Sequence, residues 1–129
     1  MEAKEYTEKY KAQSTHYLEN AFVSMKASHP EKAGEFLWGS MAEALKAVAA
    51  SRGIRLTAHW EITDFARELT KELRDKGIYD AYGHASYLHS NFYEAGLRME
   101  DVEIYAEEIR AMVRKLLDLI PTEQNNQGV

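Results

Sequence analysis

The chain reads as an all-α, up-and-down bundle of about five helices. Three observations predict this class: apolar residues recur at helical spacing through five long segments, no stretch alternates as a strand does, and only two prolines and seven glycines interrupt 129 residues. Short connections between such helices make neighbours run antiparallel.

The first segment runs from about Glu5 to Ala27, with Tyr6, Tyr10, Tyr17, Leu18, Ala21, Phe22 and Met25 at helical spacing. Glu2, Glu5 and Glu8 lie near its start, where the helix dipole favours negative charge. The second begins near Pro30 and ends before Gly53. Ser28 and Glu31 have capping-box spacing, and proline suits a first turn. Ala33, Leu37, Met41, Ala44 and Val48 line one face, and Trp38, Ala42, Leu45 and Ala49 the next. With Gly34, Gly39, Ser40 and Ala47 added, this wide arc of small residues suits a helix packed on two sides.

The third segment runs from about Ala58 to Lys76 and stops at Gly77, with Ile62, Phe65, Ala66, Leu69 and Leu73 as its buried stripe. The fourth runs from about Tyr79 to Ala95 and stops at Gly96. The fifth runs from about Met99 to Ile120 and stops at Pro121, with a near-heptad stripe from Val102 to Ile120. The core is expected to include Phe22, Leu37, Met41, Leu45, Phe65, Leu69, Leu88, Phe92, Ile109, Val113 and Leu116. Residues 1–121 form one domain on length, and 122–129 have nothing to bury and are expected to be a disordered tail.

Composition removes several functions. There is no cysteine, hence no disulfide framework, thiolate zinc site or cysteine nucleophile, which fits a cytoplasmic protein. The start, Met1 to Glu5, is charged and does not read as a signal peptide; no apolar run reaches the length of a membrane span, so no membrane association is expected. A net charge of −5 repels phosphate backbones, so RNA binding needs a local basic patch. Arg67, Lys71 and Arg74 make a basic stripe, but Glu68, Glu72 and Asp75 interleave with it, as on a solvated, salt-bridged face. Trp38 and Trp60 read as packing residues.

The segment His84 to Glu94 holds the densest chemistry. Ala81, Ala85, Leu88 and Phe92 form a core stripe. Tyr82, Ser86, His89 and Tyr93 form a second stripe about 100° away, which reads with His84 and Asn91 as the wall of a polar groove. Among the five histidines, His84 and His89 are five apart, so they do not share a helix face as metal-binding pairs three or four apart do. No Glu-x-x-His occurs, and no phosphate loop or nucleophile elbow; neither a metal nor another cofactor is expected. His89 is the candidate catalytic residue, since histidine titrates near neutral pH.

Four pieces carry a family resemblance. They are Ala33 with the run from Leu37 to Ala47 and Arg52-Gly53, the motif Leu88-His89-Ser90-Asn91-Phe92-Tyr93-Glu94, Val102 opening the last segment, and the spacing of Ala12, Leu18 and Ala21. Together they resemble the PaREP1 family of archaeal proteins, which looks like a branch of the HEPN superfamily. The resemblance spans about Tyr6 to Ile120. It implies a homodimeric bundle of four or five helices. Many members of that superfamily are metal-independent RNases, often toxins partnered by a nucleotidyltransferase, and others are inactive binding modules. The RNases carry an arginine a few residues before a histidine. Here His89 is preceded by Tyr82, Gly83, His84 and Ala85, with no cation among them; Arg52 and His59 have a permitted separation but straddle an earlier loop. The expected protein is therefore a non-catalytic module that binds a nucleotide, an RNA or a protein partner. A metal-independent endoribonuclease and a purely structural oligomer are the alternatives. A surplus of apolar surface on the second and fourth segments is expected to support a homodimer.

Overall fold

The computed structural model describes residues 2–90 and 96–122. Five helices follow one another: α1 (Ala3–Lys26), α2 (Pro30–Ser51), α3 (His59–Leu73), α4 (Lys76–Ser90) and α5 (Met99–Asp118). Among the described residues there is no strand. The expected disorder of the tail and the continuation of α4 to Ala95 lie outside the described residues, as does Phe92.

Helix α2 is the hub. It packs against α1, α3, α4 and α5. Its wide arc of apolar and small residues explains this: Ala33, Leu37, Met41, Ala44, Leu45 and Ala47 are fully buried. The arc that suggested packing on two sides serves four neighbours. Small residues set the spacing of the closest pair. Ser14 donates its hydroxyl to the Ser40 carbonyl at 2.8 Å, and Ser40 donates back to the Ser14 carbonyl at 2.8 Å. These reciprocal bonds satisfy two buried hydroxyls where α1 and α2 cross. At Gly39 an added Cβ would stand 3.0 Å from the Tyr17 ring.

The other helices turn one stripe each to this hub. Ile78, Ala81, Ala85 and Leu88 are buried from α4, and Val102, Ala106, Ile109, Val113 and Leu116 from α5. Two phenylalanines expected in the core are only half-buried. Phe22 lies under the Arg110 guanidinium, 4.6 Å from its ring centroid, and Phe65 packs on the edge of the core. Leu73, the last residue of α3, is 36% exposed because the helix ends there. Leu37, Met41, Leu45, Leu69, Leu88, Ile109, Val113 and Leu116 are buried as expected.

Two helix boundaries differ from the sequence reading. Ser28 does not cap α2; it turns the chain at φ 62°, and His29 occupies the N-cap position. Helix α3 ends at Leu73 rather than at Gly77. Arg74 adopts the left-handed conformation (φ 51°, ψ 43°), and Asp75 N–H bonds back to the Thr70 carbonyl at 3.1 Å. Gly77 instead lies in the first turn of α4, where its N–H donates to Asp75 Oδ1 at 3.0 Å. Asp75 thus acts as the cap of α4 and also pairs with Lys115 of α5.

That double duty makes a prediction. Hydrogen bonding to Lys115, aided by the Gly77 N–H, holds the Asp75 carboxyl below its usual range. A lowered folded pKa means the unfolded chain takes up the proton first, so the contribution is present above about pH 4 and is lost as pH falls through the folded value. Asp75→Ala should cost about 0.5–2 kcal/mol at pH 7, mostly from the lost cap, since an exposed ion pair adds little. In urea melts the gap between wild type and variant should close at low pH; a gap that stays constant would contradict this account of the cap.

Three helical glycines have a reason to be small. Gly34 faces Leu97 and Leu88, Gly39 faces Tyr17, and Gly77 faces Asp75 and Met112. Gly83 is different: it is exposed in the middle of α4, and an added Cβ would meet nothing within 4 Å. Glycine in a helix interior costs about 1 kcal/mol relative to alanine. Nothing within the described chain offsets that cost.

Candidate functional site

The site forms where α2, α3 and α4 meet, and its centre is Trp38. Tyr82 and His89 are seven residues apart on α4 and so point the same way. Both reach Trp38. Its ring lies 5.1 Å from His89 at an interplanar angle of 17°, and 5.7 Å from Tyr82 at 55°. From the first position of α3, His59 places its ring 5.1 Å from Trp38. Glu35, one turn before Trp38 on α2, bonds His89 Nδ1 at 2.7 Å. Of these, Trp38, His59 and Glu35 border a groove of about 440 Å³ whose lining also includes Glu43, Lys46 and Ile62.

The structure brings Tyr82 and His89 together and sets His84 apart. Tyr82 is only 4% exposed, with its hydroxyl 2.5 Å from Thr63 Oγ1. It is a buried wall behind Trp38 rather than a groove surface, and burial pushes its phenol pKa up despite the Thr63 hydrogen bond. His84 faces α5, where its ring stacks on Tyr105 at 4.5 Å and Nδ1 lies 2.5 Å from Glu108. Ser86 is half-buried, and its carbonyl accepts the Ser90 hydroxyl at 3.1 Å. Asn91 and Tyr93 lie outside the described residues. The helix-face argument therefore holds for Tyr82 and His89, and the five-residue gap to His84 puts that ring against another helix.

Sequence reasoning missed Glu35, Trp38 and His59 as site residues. Trp38 read as packing and His59 as the start of the third helical segment with no site role, yet both border the groove. Glu35 and Trp38 share a face at i, i+3, a signal that went unused. Trp60, in contrast, is 67% exposed at the start of α3. The start of that helix is fixed by Glu61, whose Oε1 accepts the N–H groups of Ala58 at 2.8 Å and Thr57 at 3.1 Å. These bonds lower the Glu61 pKa, the Ala58 N–H most.

Chemically, the Glu35 carboxylate on Nδ1 orients the His89 imidazole and leaves Nε2 as the ring nitrogen for a ligand. A carboxylate–histidine pair can serve a general base, but phosphoryl chemistry also needs positive charge where the transition state becomes negative. Several cations of α2 and α3 are engaged in ion pairs. Lys46, in the groove lining, pairs with Glu43 at 3.4 Å. Arg52 makes two 2.8 Å bonds to Glu72, which hold that carboxyl below its usual range. Arg67 pairs with Asp64 at 2.9 Å and reaches the Tyr79 hydroxyl at 3.5 Å. Glu43 Oε2 is buried without a hydrogen-bond partner, which adds negative character to the groove wall. Among the described residues no group of three potential metal ligands comes together, and no helix is long and apolar enough to cross a membrane.

Fold and site together define an all-α bundle with an open aromatic–histidine groove and an acidic rim. Residues 9–113 match the archaeal PaREP1/PaREP8 family, and the chain belongs to it. Among solved structures, the chain is similar to the crystal structure of a protein from Sulfolobus solfataricus, with a TM-score of 0.73 and 18% identity over 82% of this chain and 94% of that one. At that identity the likeness shows the shared bundle fold. No curated protein matches the chain.

Proposed function

We propose that this protein is a non-catalytic, HEPN-like module that works as a homodimer and binds a nucleotide by its base in the Trp38 groove. The observation that carries the reading is the half-buried Trp38 ring, which lines an open groove together with His59, 5.1 Å away, and is stacked on His89 at 5.1 Å. Base–aromatic stacking needs such a surface and tolerates different bases. The acidic rim of Glu35 and Glu43 disfavours a run of phosphates, so a single nucleotide entering base-first suits the groove better than a long RNA.

The Glu35–His89 pair supports a second reading, a metal-independent RNase. Histidine could move the 2′-hydroxyl proton, but the phosphorane-like charge that follows has no free cation to meet it among the described groove residues of one chain. Losing such a stabilising group costs about a hundred- to thousand-fold in rate. Purified protein should therefore cleave single-stranded RNA no faster than a His89→Ala variant in the presence of a chelator. Cleavage that disappears in His89→Ala and also in Arg67→Ala or Arg98→Ala would restore the RNase, with the cation supplied by a second copy.

A further inference from the structure

We infer that the outer face of α4, centred on Gly83, is a two-fold docking surface for a second copy of this chain, with the two α4 helices crossing antiparallel at Gly83. The inference rests on the homodimer reading above and adds where the copies meet. Gly83 starts the argument, because it is the mid-helix glycine whose added Cβ would meet nothing. Glycine is among the weakest helix formers, and what it offers in return is close approach of another backbone.

An antiparallel crossing at Gly83 brings the residues around it together in pairs. Lys76, Tyr79, Asp80, Ser86, Tyr87 and Ser90 stand three, four or seven positions from Gly83 and share its helix face, opposite the buried stripe of Ile78, Ala81, Ala85 and Leu88. In an antiparallel crossing at Gly83, a residue a given number of positions before it meets the residue the same number after it on the other copy. Tyr79 then meets Tyr87, Asp80 meets Ser86 and Lys76 meets Ser90. No like charges face each other, which matters in a chain of net charge −5. The two tyrosines supply the apolar area: Tyr79 is 36% and Tyr87 47% exposed. Both rings are already held in place, Tyr79 beneath the Arg67 guanidinium at 5.7 Å and Tyr87 edge-on to Tyr105 at 6.0 Å. Preformed rings lower the entropy cost of association. Ile104, 69% exposed, sits one turn before Glu108, the α5 residue that holds His84, and extends the apolar rim beside α4.

Because the chain has no cysteine, the test is direct. A residue on a two-fold axis faces itself, and a disulfide forms only across a short Cα separation. Gly83→Cys, treated with oxidised glutathione, should form a covalent dimer at least ten times faster than Glu19→Cys, an exposed control on α1, which does not touch α4. Gly83→Glu should raise the dimer dissociation constant at least ten-fold in sedimentation equilibrium without lowering the melting temperature of the monomer. A wild-type dimer whose Gly83→Cys variant links no faster than the control, and whose dissociation constant Gly83→Glu leaves unchanged, overturns this surface while the homodimer stands. A wild-type chain that remains monomeric at tens of micromolar overturns both.

Discussion

Leu88→Ala should destabilise the fold by about 2–5 kcal/mol, toward the upper half of that range. Leu88 is fully buried where α4 meets α2. Its Cβ lies against Gly34, close enough that a methyl group there would stand 3.4 Å from it. Removing the isopropyl group leaves a space that Gly34, having no side chain, cannot fill. The cost is then the lost transfer free energy plus the cavity. A domain of this size is typically stable by about 5–15 kcal/mol, so the loss is a large share of the whole. Urea unfolding should show a lower midpoint at unchanged slope. Tyr87→Ala, on the opposite and exposed side of α4, should change monomer stability far less. Equal losses from the two variants would mean that α4 does not present Leu88 to the core.

Trp38→Ala should weaken nucleotide binding roughly 5- to 150-fold, corresponding to about 1–3 kcal/mol of base stacking. Trp38→Phe keeps a ring and should lose less. The effect belongs to the groove rather than to folding, because Trp38 is half-buried at its edge while the centre of α2 is held by Leu37, Met41 and Leu45. Far-ultraviolet circular dichroism should therefore stay helical in both variants. Unchanged affinity in Trp38→Ala would remove stacking as the basis of recognition.

The helices themselves were legible in the sequence because each carries a continuous apolar stripe. The α4 stripe of Ala81, Ala85 and Leu88 and the α5 stripe from Val102 to Leu116 lie where periodicity put them. Boundaries were less legible. A glycine marks a helix end only when the chain needs its conformation there, and Arg74 took the left-handed position that Gly77 was expected to take. The site was half legible. Facing of Tyr82 and His89 follows from one helix's geometry. Their convergence on Trp38, Glu35 and His59 depends on how three helices pack, and single-helix periodicity carries no information about that. For the same reason the width of the α2 arc was visible, but not that four helices pack against it.

The central claim is that Trp38 receives a base. The chain has two tryptophans, and Trp60 is 67% exposed. Trp60→Phe thus leaves Trp38 as the only indole reporter, with its ring beside His89 and His59. Titrating this variant with each of the four ribonucleoside monophosphates and following tryptophan emission measures contact at the proposed site itself. The account predicts saturable quenching by at least the purine nucleotides. No saturable change with any of the four up to about 1 mM, the weak limit of specific recognition, would contradict it.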